Sequence, residues 1–112
     1  MGKKVDVFKK IEVDPNTTTE ELIYTVPDAR VLKLARVKIF FDYNNAYQLQ
    51  VKVLWGNKEV RPTDGAYVGS GNWVISESDE VYQSGQQIKV TATNTSTTET
   101  KIACIHLEGE LE

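Results

Sequence analysis

The sequence predicts an all-β fold, an antiparallel β-sandwich of about eight strands with jelly-roll or Greek-key connections. Three observations lead there. From Leu34 to Trp55 the apolar residues fall on every second position, as Val37, Ile39, Phe41 and Tyr43 and then as Tyr47, Leu49, Val51, Val53 and Trp55. Turn-forming residues such as Asp14-Pro15, Pro27-Asp28, Gly56-Asn57 and Asp64-Gly65 break the chain at short intervals. Only Ala29 to Ala35, where Val31, Leu32 and Leu34 lack strict alternation, admits a helical turn, and a loop is the preferred expectation there.

The stretch Leu34 to Trp55 organises the rest. Arg36, Lys38, Asp42, Gln48, Gln50 and Lys52 separate its apolar residues, and a period of two means one dry face and one wet face. The expectation is a hydrogen-bonded antiparallel pair with Tyr43 opposite Tyr47 and Phe41 opposite Leu49. A two-residue turn at Asn44-Asn45 would put one apolar set in water, so the pairing calls for a loop of about three or five residues. Asn44 or Asn45 is expected to take positive φ there.

Before that stretch, Lys4 to Val13 alternates with Val5, Val7, Ile11 and Val13 on one side. Phe8 breaks the rule and Lys9 sits among the apolar set, which marks an edge strand or one lying against a neighbouring subunit. Asp14-Pro15-Asn16 and three threonines form a turn and loop. Glu21 to Val26 is a short strand with Leu22, Tyr24 and Val26 on one face, stopped by Pro27-Asp28. Beyond Trp55, Lys58 to Arg61 is a short strand ending at Pro62, and Thr63 to Asn72 holds three of the seven glycines, a sign of irregular backbone. Trp73 to Ser76 is a strand, Glu77 to Glu80 an acidic connector, and Val81 to Thr93 a turn followed by an alternating strand. After the threonine-rich loop 94–100, Lys101 to Leu107 has apolar residues on both faces, so it is central in its sheet or covered by another subunit. Glu108 to Glu112 reads as an acidic tail.

Composition narrows the function classes. The 112 residues fit one domain, residues 1–112, with a single core. A net charge of −3 with dispersed acids argues against nucleic-acid binding, which needs a positive field. No run is long enough to span a bilayer and no apolar leader follows Lys3-Lys4, so a soluble chain without membrane contact is expected, in a virion or the cytoplasm. The single cysteine, Cys104, excludes an intrachain disulfide and a zinc site of several cysteines. Asn16-Thr17-Thr18 and Asn94-Thr95-Ser96 match the glycosylation sequon, which has meaning only in a secreted chain.

The pattern Tyr82-x-x-Gly85-x-x-Ile88-x-Val90-x-x-x-Asn94-x-Ser96 resembles the late strands of jelly-roll modules found in carbohydrate-binding domains and in virion or phage appendage proteins. The resemblance covers about the C-terminal third and transfers no individual functional residue.

Candidate chemistry is sparse. Cys104 and His106 share a strand face, but a metal site needs three or four ligands and no second cysteine or histidine is available, so no metal is expected. A Cys-His nucleophile pair lacks the third, orienting group, and no cofactor motif is present; Gly69-Ser70-Gly71 has no lysine at the phosphate-loop position. Glu77, Asp79 and Glu80, with Asp64, offer oxygen ligands to calcium only if their loops converge. Trp55, Tyr67 and Trp73 bracket the glycine-rich region beside Asp64, Asn57 and Asn72. Aromatic faces stack on sugar rings and neighbouring Asp and Asn bond hydroxyls, so Tyr67, Trp73, Asp64, Asn72 and Trp55 are the candidate ligand-binding set, with Tyr67 expected to be the most exposed of the rings. The leading expectation is a non-catalytic, self-associating structural module of a viral or phage particle. The alternative is a carbohydrate-binding module using the loop aromatics.

Overall fold

The computed structural model describes residues 2–55, 58–62, 65–77 and 80–112, with the backbone alone at 55 and 58–61. It is all β and forms an antiparallel sandwich. The strands are β1 (Lys3–Val13), β2 (Thr18–Thr25), β3 (Leu32–Phe41), β4 (Leu49–Trp55), β5 (Lys58–Arg61), β6 (Asn72–Glu77), β7 (Val81–Tyr82), β8 (Gln87–Asn94) and β9 (Lys101–Leu111). One sheet has the order β1-β9-β3-β6, with β7 also pairing β3; the other has the order β2-β8-β4-β5. Every pairing is antiparallel.

The every-second-residue rhythm of residues 34–55 holds, but the pairing expected from it does not. Phe41 and Leu49 are both fully buried, yet β3 and β4 belong to different sheets. Phe41 pairs with Asn72 and Ala103, while Leu49 pairs with Asn94. Alternation reports which face is dry and carries no information about hydrogen-bond partners. The two dry faces meet across the core, so the connection 42–48 crosses between sheets instead of closing a hairpin.

That crossing has its own chemistry. Positive φ falls at Ala46 and Tyr47, in place of the asparagines expected to accept it. Asn45 instead turns inward at 0% exposure. Its Nδ2 donates to the Ile102 carbonyl at 2.9 Å, and its backbone N–H donates to the Asp42 carbonyl at 3.1 Å. Tyr43 and Tyr47, assigned by parity to the dry face, lie exposed on this crossing.

The core draws on both sheets. Ile11, Val13, Leu32, Leu34, Val37, Ile39, Phe41, Ala103, Ile105 and Leu107 come from the first, and Leu49, Val51, Val53, Ile88, Val90 and Ala92 from the second. The branched and aromatic residues that favour strands also fill the space between them. Bulges account for two further places where parity failed. In β2 the register shifts between Leu22 and Tyr24, so Ile23 is buried and Leu22 is exposed, against the expected inward Leu22. In β3 it shifts between Leu34 and Arg36, which carries the inward set from Leu32 and Leu34 to Val37 and Ile39. The irregular 29–35 stretch is therefore a turn, with Ala29 at positive φ, followed by a bulged strand.

Both termini are structural. The first strand is an edge, as its irregular pattern suggested, and Lys9 stays exposed although it pairs with the inward Ile105. The last strand lies between β1 and β3, and the supposed acidic tail continues it to Leu111, which is buried. Gly109 sits where β3 bulges. A Cβ there would lie 2.8 Å from the Lys33 carbonyl oxygen, so only glycine fits.

One end of the sandwich is closed by buried polar residues. Asn94 Nδ2 donates to the Val13 carbonyl at 2.9 Å and to the Glu99 carbonyl at 2.8 Å, while its Oδ1 accepts from the Ser96 N–H at 2.9 Å. Lys101, 3% exposed, directs its Nζ to the Asn44 carbonyl and, at 3.5 Å, to Glu99. Burial at 1% takes Asn94 out of reach as a glycosylation acceptor.

Candidate functional site

The sequence-selected ligand set does not form one site. Tyr67 is bridged to Val51 by two backbone hydrogen bonds of 2.9 Å and packs against the core, so it is not the most exposed ring. Of the two rings described, Trp73 is the more exposed, at 49%, on the outward face of β6. Asn72 is spent locally, its Oδ1 accepting from the Ser70 N–H at 2.7 Å. Asp64 and the Trp55 side chain lie outside the described residues. Of the acids proposed for calcium, Glu77 faces Arg36 at 3.4 Å and Glu80 accepts from the Tyr82 hydroxyl at 3.0 Å. Asp79 also lies outside the described residues.

The face that gathers functional side chains is the outer surface of the β1-β9-β3-β6 sheet. Strand register alone builds it in rows. Asp6, Glu108, Arg36 and Glu77 stand in one row; Phe8, His106, Lys38 and Ile75 in the next; Lys10, Cys104, Phe40 and Trp73 in a third. Side chains directly opposite on a sheet face lie close enough to interact.

The first row is an ion network centred on Glu108. Its Oε2 accepts from Arg36 Nη1 at 3.1 Å, and its Oε1 lies 3.1 Å from Lys38 Nζ. The Lys38 hydrogen bond, aided by the nearby positive charges, holds the Glu108 carboxyl below the ordinary glutamate range against the opposing pull of burial.

In the second row the Phe8 ring stacks on His106 with centroids 3.9 Å apart and planes 8° from parallel. His106 Nε2 lies 3.3 Å from Asp6, and Nδ1 lies 3.7 Å from Glu108. The third row is apolar toward β6, where Phe40 lies 5.2 Å from Trp73 and 6.2 Å from Tyr43.

Cys104 and His106 do share this face, as their spacing required. The register neighbours of the thiol are Lys10 and Phe40. Among the described residues, Asp6, His106 and Glu108 are the group whose ligand atoms converge, all within 4.8 Å of one another. Counting cysteines and histidines overlooked it because two of its three members are carboxylates, one of them from β1. The i, i+2 spacing of His106 and Glu108 was the available signal. Arg36 and Lys38 already occupy the Glu108 oxygens, and the two His106 nitrogens point at different carboxylates, so a cation would have to displace existing partners.

No protein-family model matches the chain, and no curated protein matches it. Solved structures do. A chain described as "Cyanophage Pam1 capsid asymmetric unit" superposes with a TM-score of 0.66 at 10% identity, covering 97% of this chain and 85% of that one. A crystal structure of PirA superposes with a TM-score of 0.44 at 17% identity, covering 89% of this chain and 92% of that one. At 10% identity the likeness to the capsid chain is one of fold alone. Among the described residues no helix is long and apolar enough to cross a membrane.

Proposed function

We propose that the chain is a single-domain, non-catalytic assembly module, a self-associating component of a viral or phage particle. The observation that carries this reading is the correspondence of nearly the whole chain to the fold of a chain from a phage capsid asymmetric unit. The topology agrees with it. The two packed sheets, ordered β1-β9-β3-β6 and β2-β8-β4-β5, are compatible with the double-sheet jelly rolls used by capsid proteins and lectins. Its outer face also fits a binding role better than a chemical one, because ion pairs and ring contacts take up its polar and aromatic groups. Size-exclusion chromatography with light scattering over a wide concentration range tests the proposal. A discrete oligomer is expected, and a monomer at every concentration would overturn it.

A second reading, carbohydrate binding, is favoured by one observation. Trp73, Phe40 and Tyr43 form a connected aromatic group with Trp73 and Tyr43 open to solvent. Titration with a panel of soluble oligosaccharides should then shift the tryptophan emission, and Trp73→Ala should abolish the shift. An unchanged spectrum across the panel removes this reading.

A further inference from the structure

The outer face of the β1-β9-β3-β6 sheet carries its charges in columns. Outward on β9 stand the acids Glu108 and Glu110; directly opposite on β3 stand the bases Arg36 and Lys33. Flanking these columns are exposed apolar side chains, Phe8 on β1 at 69% and Ile75 on β6 at 56%. We infer that this face docks onto the same face of a second copy of the chain, about a two-fold axis parallel to the strands and running between β9 and β3. The inference rests on the self-associating reading above and names the surface responsible.

Rotation about that axis exchanges the two sides of the sheet and leaves each residue at its own level along the strands. Strand β9 then lies over β3 of the second copy, and β1 over its β6. Glu110 faces the partner's Lys33, Glu108 faces the partner's Arg36 and Phe8 faces the partner's Ile75, each contact occurring twice as closed symmetry requires. Lys10 comes over the partner's Trp73, a cation on an aromatic face.

The charge pattern selects this axis. A two-fold perpendicular to the strands would lay β9 on β9 and acid on acid, which electrostatic complementarity forbids. At the rim Asp6 comes over the partner's Glu77, but within its own copy Asp6 lies 3.3 Å from His106 and Glu77 lies 3.4 Å from Arg36. Rim charges of this kind contribute little. Area allows a weak contact. Strands β1, β9 and β3 run ten or eleven residues and β6 six, so at about 4.8 Å between strands and about 3.3 Å per residue the overlapped face offers roughly 500 Å² per partner, below the roughly 800 Å² of a standard interface and in the range of a small, weak one.

Sedimentation equilibrium on the full chain tests the inference with three sets of proteins. Ile75→Lys and Phe8→Glu change exposed side chains and should each weaken dimerisation by at least about 30-fold, the effect of losing a central interface contact. Leu22→Glu, exposed on the other sheet, should leave it unchanged. Arg36→Glu and Glu108→Arg should each be monomeric alone and should form a heterodimer when mixed, because the mixture restores both opposite-charge contacts. Far-ultraviolet circular dichroism checks that every variant is folded. A wild-type trimer, or a dimer indifferent to Ile75→Lys and Phe8→Glu, would overturn the two-fold face while leaving self-association standing. A wild-type monomer would overturn both.

Discussion

Asn94 and Glu108 show how single side chains hold this sandwich together. Asn94 satisfies one carbonyl from the end of β1 and one from the loop that follows β8, and accepts a third hydrogen bond, all in a buried site. Asn94→Ala should therefore cost about 2–3 kcal/mol, since buried groups left without partners retain their full desolvation penalty. Urea unfolding monitored by circular dichroism measures it. Glu108 makes a pH prediction. Its folded-state pKa is lowered, mainly by the Lys38 hydrogen bond, so its contribution is fully present above the ordinary glutamate range and is lost as pH falls through the depressed folded value. The melting temperature of the wild type should exceed that of Glu108→Gln at neutral pH, and the gap should close on acidification through that window. A gap independent of pH would show that the charge on Glu108 is not what stabilises the fold.

Bulges and crossings decide what each strand contributes. The shift in β3 lets Leu32, Leu34, Val37 and Ile39 all reach the core despite their mixed parity, and it brings the Lys33 carbonyl against Gly109. Gly109→Ala should destabilise by about 1–3 kcal/mol, the usual cost of forcing an atom into filled space. Thermal unfolding reads that loss, and a neutral substitution would mean the two strands can part there. Element by element, the sequence was legible where a strand is half-buried and regular, as in β4 and β8. It was misleading where a bulge changed parity, as at Leu22, and silent about faces where a short strand offered apolar residues on both, as at Trp73 to Ile75. The candidate site suffered most from this ambiguity. Tyr67 and Trp73 are close in sequence, yet one packs on the core and the other faces solvent.

At the scale of the whole molecule, the first strand pairs with the last along its full length, from Lys3 opposite Leu111 to Val13 opposite Lys101. Ordering nearly the entire chain before that pairing can form carries a large loop-closure cost. Refolding in stopped-flow experiments should accordingly be slow, in the range of about milliseconds to seconds. Sub-millisecond refolding would contradict a topology so dominated by distant contacts.

By itself the sequence determined that the chain is built of strands, which residues lie on dry faces over most of its length, and that β9 would be either central or covered by another subunit. These follow from side-chain alternation, a local property that any two-layer β-structure must obey. Only the tertiary structure decided that residues 34–41 and 49–55 lie in opposite sheets, that Asn45 turns inward, and that Asp6, His106, Glu108, Arg36 and Lys38 meet on one face. Those outcomes depend on register between segments up to about a hundred residues apart, and hydrogen bonds along a strand edge are alike for every residue type, so no local pattern encodes them.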